Sequence, residues 1–206
     1  MSRVPLEIYL DNMNEIKQRF VIIANIWNRD LHKPKSIFEI ESIALQIRKI
    51  LELIALGNLV LNKDKYCAIH KKFSAQWNAK YILQDIERIN PSFYPKPVDE
   101  IPKQVKNSGI VSDLQDKKSG FLTKDEFIEL YDMLGGVLHA KNPFAGRDNV
   151  REFEKNIIEV LNKIQCLLQV HVIKIYEDEL YIIHMYEKGV KSAKGYIFEQ
   201  VKESYL

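Results

Sequence analysis

In the stretch YDMLGGVLHAKNPF, Tyr131 to Phe144, His139 follows a Gly-Gly pair and precedes Lys141, Asn142 and Pro143. An imidazole titrates near neutrality, so an exposed histidine can accept and return a proton under ordinary conditions. Lys141 would place a positive charge beside it, and Asn142 an amide donor. Together these residue types suit the handling of a phosphate group. A plainer reading stands beside that one. Histidine in the last turn of a helix complements the negative end of the helix dipole, and Asn-Pro is an ordinary helix stop.

Arg48 and Glu52 form a second candidate pair. They lie four residues apart inside a long apolar helical pattern, so they share a face and can join in an ion pair.

Other candidates carry less. In DLQDKKSGFLTKDEF a calcium loop starting at Gln115 would put Gly120 sixth and Glu126 twelfth. Its first and third positions are then Gln115 and Lys117, where the ion requires carboxylates. A capping box explains Thr123 and Glu126 without any ion. Cys67-x-x-His70 and Cys166-x4-His171 could supply four zinc ligands, but nothing in the spacing brings the two pairs together, and cysteine also serves as a small core residue. No Walker loop, GxGxxG, GxSxG or HExxH pattern occurs. No metal and no cofactor is assigned. Lys63, Lys65, Lys71 and Lys72 with His70 make the densest basic cluster, read first as a solvated face. Tyr176, Tyr181, Tyr186 and Tyr196 read first as strand formers, and as base-stacking groups only if exposed.

These residues need elements to position them. Leu6, Leu10, Met13, Phe20, Ile23 and Trp27 recur at helical steps and predict a helix over 6–30. Pro34 ends it. Ser36 and Glu39 form a capping box that opens the next helix, with Ile40, Ile43, Ile47, Leu51, Ile54 and Leu61 on one face. SAQWNAKYILQDIERIN predicts a further helix, stopped at Asn90-Pro91. The proline-rich stretch that follows, to Gly109, reads as the longest irregular connection. Thr123 and Glu126 open a helix that reaches Gly135-Gly136, and VREFEKNIIEVLNKIQCLLQ gives another. From about residue 170 the pattern turns β-branched and aromatic in VHVIKIY, ELYIIHMY and GYIFEQV, predicting two or three antiparallel strands. The expected fold is mainly α: a helical bundle over 1–170 with a small C-terminal antiparallel β-meander over 171–206, an α+β arrangement.

Composition bounds the rest. The 206 residues suffice for one large domain or two small ones, and a net charge of +2 imposes no global field toward nucleic acid or membrane. No apolar run is long enough to span a bilayer. The first residues lack a signal-peptide pattern, and two distant cysteines suit a reducing compartment. The expected location is the cytoplasm.

The order of features resembles the HEPN superfamily, helical nucleotide-binding and RNase domains common in bacterial defence and toxin–antitoxin systems. Two stretches carry the likeness: IESIALQIRKILELIALGNLVLN, a charged pair within an apolar helix, and FIELYDMLGGVLHAKNPF, a helix ending in histidine before a polar break. The resemblance covers about 36–170. It implies general acid–base cleavage of RNA by the histidine of an Arg-x4-6-His motif, phosphate stabilisation by the arginine, and a homodimer that brings two motifs together. His139 matches the histidine. Asp132, Met133 and Leu134 fill the three positions open to the arginine, so none is there. Arg48, or Arg147 beyond the loop, would have to replace it in space. On this reading His139 and Arg48 are catalytic, and Lys141, Asn142 and Glu52 line the substrate site. The alternative implied is a non-catalytic helical module that binds a protein partner in such an assembly. A small-molecule or nucleotide sensor is a third possibility.

Overall fold

The computed structural model describes residues 4–29, 33–67, 78–105, 109–140, 149–176 and 179–199. The chain folds as α1 (Val4–Asn28), α2 (Ile37–Leu61), α3 (Lys63–Cys67), α4 (Ala79–Ile89), β1 (Lys96–Val105), β2 (Gly109–Asp116), α5 (Lys124–Leu138), α6 (Asn149–Leu168), β3 (Val170–Lys174), β4 (Glu179–His184) and β5 (Lys194–Glu199). The mainly α, α+β architecture is as expected. No described helix is long and apolar enough to cross a membrane.

Both capping boxes form. The Ser36 hydroxyl accepts the Glu39 N–H while the Glu39 carboxylate accepts the Ser36 N–H. Thr123 and Glu126 do the same at the start of α5. Each box satisfies two backbone donors that a helix start leaves open. α2 is the central helix and packs against α1, α4, α5 and α6. Ile40, Ile43, Ile47, Ile50 and Ile54 are all fully buried, and each such burial contributes roughly 1.5–3 kcal/mol relative to exposure.

The sheet departs from expectation. It has five antiparallel strands in the order β2-β1-β3-β4-β5. The stretch 91–109, read as an irregular connection, holds β1 and the start of β2. Its prolines misled because they sit where a strand tolerates them. Pro102 lies opposite Ser112 in the part of β1 bonded to β2 alone, and the Pro97 carbonyl accepts the Lys117 N–H at 3.0 Å. Two strands therefore come from within the stretch read as a helical bundle. α4 also differs: Asn78 caps it, its side chain accepting the Lys80 and Tyr81 N–H groups. Residues 74–77, assigned to that helix from the sequence, lie outside the described residues.

The helices cover one sheet face. Ile173, Tyr181 and Ile183 point into the main core, whereas Val98, Val172 and Ile182 form a small second cluster with Leu114, Val170 and Leu180. Two glycines let α1 settle into place. A Cβ on Gly57 of α2 would lie 2.9 Å from the Tyr9 ring, and one on Gly195 of β5 would lie 2.9 Å from Leu6. A buried amide chain closes the other end: Asn90 Nδ2 donates to Asn62 Oδ1 at 2.8 Å and to the Lys174 carbonyl at 2.9 Å. It joins the ends of α2 and α4 to β3.

His171 sits at the centre, fully buried. Its Nδ1 lies 3.0 Å from the Leu168 carbonyl, and Nε2 lies 2.7 Å from the Tyr9 hydroxyl. A carbonyl can only accept, so Nδ1 carries the proton and Nε2 accepts from Tyr9. Burial drives the imidazole down from 6.5 to about 4 and the Tyr9 phenol well above its usual range.

The sign of the linkage follows. Between about 4 and 6.5 the folded imidazole stays neutral while the unfolded one binds a proton. The stability held above pH 6.5 is therefore lost as pH falls toward 4. This group accounts for about 3 kcal/mol of that loss. Urea unfolding at a series of pH values across this window checks it. His171→Gln, which can still accept from Tyr9, is expected to flatten the slope, and an unchanged slope would exclude the imidazole as its source.

Candidate functional site

α5 organises the candidate site. The helix does not break at Gly135-Gly136 but runs through both to Leu138, and His139 is its C-cap. Two glycines inside a helix cost backbone entropy. Space at Gly135 is limited by Arg48: a Cβ there would lie 3.4 Å from Arg48 Nη1, an ordinary contact, and a longer side chain would press on the guanidinium. Gly136 faces solvent.

Arg48 reaches from α2 across to α5. Its Nη1 donates to the Tyr131 carbonyl at 3.2 Å, and its guanidinium carbon stands 4.0 Å from the Tyr131 ring centroid. Guanidinium over an aromatic face is a favourable cation–π arrangement. Glu52 completes the setting, with Oε1 3.5 Å from Arg48 Nε and Oε2 2.8 Å from Lys49 Nζ. The pairing expected from the spacing is present. The Arg48 side chain keeps 22% of its surface exposed, and its five N–H donors exceed the acceptors these contacts use.

Asp132, Gly135 and His139 recur at three- and four-residue steps and so share a face of α5. His139 is exposed, and its backbone N–H donates to the Gly135 carbonyl at 3.1 Å. About one helical turn, roughly 6 Å of rise, thus separates it from the residue against which Arg48 lies. Asp132 is not a bare charge. Lys80 Nζ of α4 bonds its carboxylate at 2.6 Å, and that bond raises the Lys80 ammonium above its ordinary range. One face of α5 therefore carries a histidine, a guanidinium from α2 and a neutralised aspartate.

Lys141, Asn142 and Arg147 lie outside the described residues. Tyr131 and Lys80 were missed in the sequence. Neither has a local signal, because both act across elements that meet only in the folded chain.

The other candidates resolve differently. Both His171 nitrogens are taken, and Cys166 contacts Lys117 Nζ at 4.0 Å. Cys67 is exposed at the end of α3, and His70 lies outside the described residues. Among the described residues, no three His, Cys, Asp or Glu side chains sit together as a metal set would. Of the cluster Lys63, Lys65, Lys71 and Lys72, the Lys65 ammonium covers the Tyr176 ring at 4.8 Å, and Lys71 and Lys72 lie outside the described residues. Tyr181 packs in the core, Tyr186 meets Lys17, and Tyr196 is exposed. Compared with known proteins, the chain matches no family model, no curated protein and no solved structure.

The contact between Gly135 and Arg48 is testable by a double-mutant cycle in urea. Gly135→Leu is expected to cost about 1–3 kcal/mol by overpacking against the guanidinium. Most of that cost should vanish when Arg48 is also replaced by Ala. Strict additivity would mean that the two do not share the space.

Proposed function

We propose that this is a HEPN-like protein that acts on RNA in bacterial defence or a toxin–antitoxin system, as a metal-independent endoribonuclease. The observation that carries the reading is the approach of Arg48 to the α5 face that ends in His139. A guanidinium delivered from α2 stands in for the arginine that Asp132, Met133 and Leu134 do not provide. The ion pair between Lys80 and Asp132 weakens the repulsion that the aspartate would exert on a phosphodiester.

In this chemistry His139 accepts the proton of a ribose 2′-hydroxyl as that oxygen attacks the adjacent phosphorus. Arg48 stabilises the charge that builds on the phosphorane oxygens. The 5′-oxygen leaves with a proton from an imidazolium, giving a cyclic phosphate and a free 5′-hydroxyl. Lys141 and Asn142 hold the phosphate and the neighbouring nucleotide, and Glu52 keeps the guanidinium oriented. The site requires no cofactor. The protein works in the cytoplasm as a homodimer and does not engage a membrane.

A second reading is a non-catalytic helical module for a protein partner in the same kind of assembly. It is favoured by the engagement of Arg48 with Glu52 and the Tyr131 carbonyl, which a structural arginine would also show.

Purified protein incubated with a mixed pool of structured and single-stranded RNA in EDTA separates the two. Cleavage is expected. His139→Ala should lower it by about 10²–10⁴, and Arg48→Ala by about 10²–10³, with circular dichroism unchanged. No cleavage by the native chain would overturn the catalytic reading and leave the binding module.

A further inference from the structure

Among the described residues β5 is an edge strand, bonded to β4 on one side only. Three consecutive residues on it are large, apolar and open: Tyr196 is 43% exposed, Ile197 44% and Phe198 51%. Their register shows why no single helix or small ligand would cover them. Tyr196 pairs with Ile182 and Phe198 with Leu180, on the face turned from the helices. Ile197 pairs with Tyr181, on the helix face. The side chains alternate between faces, so only an element lying alongside β5 shields all three. A strand does so while also pairing the open N–H and C=O groups of the edge.

The charges of β5, Lys194 and Glu199, stand at its two ends, and the four residues between them, Gly195 to Phe198, carry none.

We propose that β5 pairs antiparallel with β5 of a second copy, about a two-fold axis through Ile197, continuing the sheet to ten strands. The sequence KGYIFE is self-complementary in that register. A two-fold axis normal to the sheet sets opposing residues on the same face. Ile197 then meets its own counterpart, Tyr196 meets Phe198 of the partner subunit, and Phe198 meets Tyr196 of the partner subunit. Gly195 opposes Glu199 of the partner subunit, so no like charges face each other. Centring on Tyr196 instead would oppose Phe198 to Lys194, and centring on Phe198 would oppose Ile197 to Glu199. The Ile197-centred register alone joins all three apolar residues to apolar partners, and such cross-strand pairs are what stabilise a sheet. The pairing is argued from β5 and is independent of any action on RNA.

Sedimentation equilibrium of the full chain over a broad concentration range tests it. The expected mass is twice the 24.1 kDa of one chain. Ile197→Lys, which sets two ammonium groups on the axis, should shift the protein to monomer with its circular dichroism intact. A second variant fixes the register: Ile197→Cys with Cys67 and Cys166 replaced by Ser. Opposed residues in antiparallel strands have Cα atoms about 4.5–5.5 Å apart, within reach of a disulfide. Mild oxidation should give a covalent dimer, whereas Val21→Cys on exposed α1 in the same background should not. A monomer at every concentration would overturn the proposal. So would a dimer that survives Ile197→Lys and gives no crosslink at position 197.

Discussion

The first helix and the first C-terminal strand meet through a neutral imidazole with no access to water. His171 must be uncharged, must present Nε2 bare, and must find the Tyr9 hydroxyl at 2.7 Å. Each requirement fixes something else. The bare Nε2 follows from the Leu168 carbonyl holding the Nδ1 proton where α6 passes into β3. The Tyr9 ring reaches its place only because Gly57 leaves α2 without a Cβ there. Helix α1, helix α2 and the sheet are thereby set in one mutual position. A buried polar pair of this kind restricts alternatives more sharply than apolar contact does, because any slip leaves both groups unsatisfied.

The α5 face shows a different balance. Arg48 is anchored by an aromatic ring, a backbone carbonyl and a carboxylate, yet remains partly open. A guanidinium so held loses little further freedom when it meets an anion, which is how a preorganised cation stabilises developing charge. The same anchoring also joins α2 to α5. The side chain that joins the two helices is thus also the partly open cation of the proposed site.

Much of the fold was legible in the sequence. Ser36–Glu39 and Thr123–Glu126 announced two helix starts because a capping box is a local device with a local signature. The last three strands were legible through their β-branched and aromatic runs. The β1–β2 hairpin was not, since Pro95, Pro97 and Pro102 suppress strand propensity and the pairing of β1 with β3 spans more than seventy residues. At the candidate site, the four-residue spacing foretold the Arg48–Glu52 pair. The helical state of Gly135 and Gly136 was hidden, because their low helix propensity argues against it, while α5 as a whole packs on α2, a distant element. Tyr131 and Lys80 were hidden for the same reason.

The placement of α1 has a consequence in time. Its apolar stripe lies against Gly195, and its Asn14 side chain accepts the Ala193 N–H. Helix α1 therefore leaves the ribosome well before the strand on which it packs. At ordinary translation speeds it waits on the order of ten seconds for that strand. During that interval α2, which follows α1 directly in the chain, is already there for the α1 stripe to pack against. Their early pairing into a helical hairpin would protect the growing chain, with the sheet arriving as the piece that locks it.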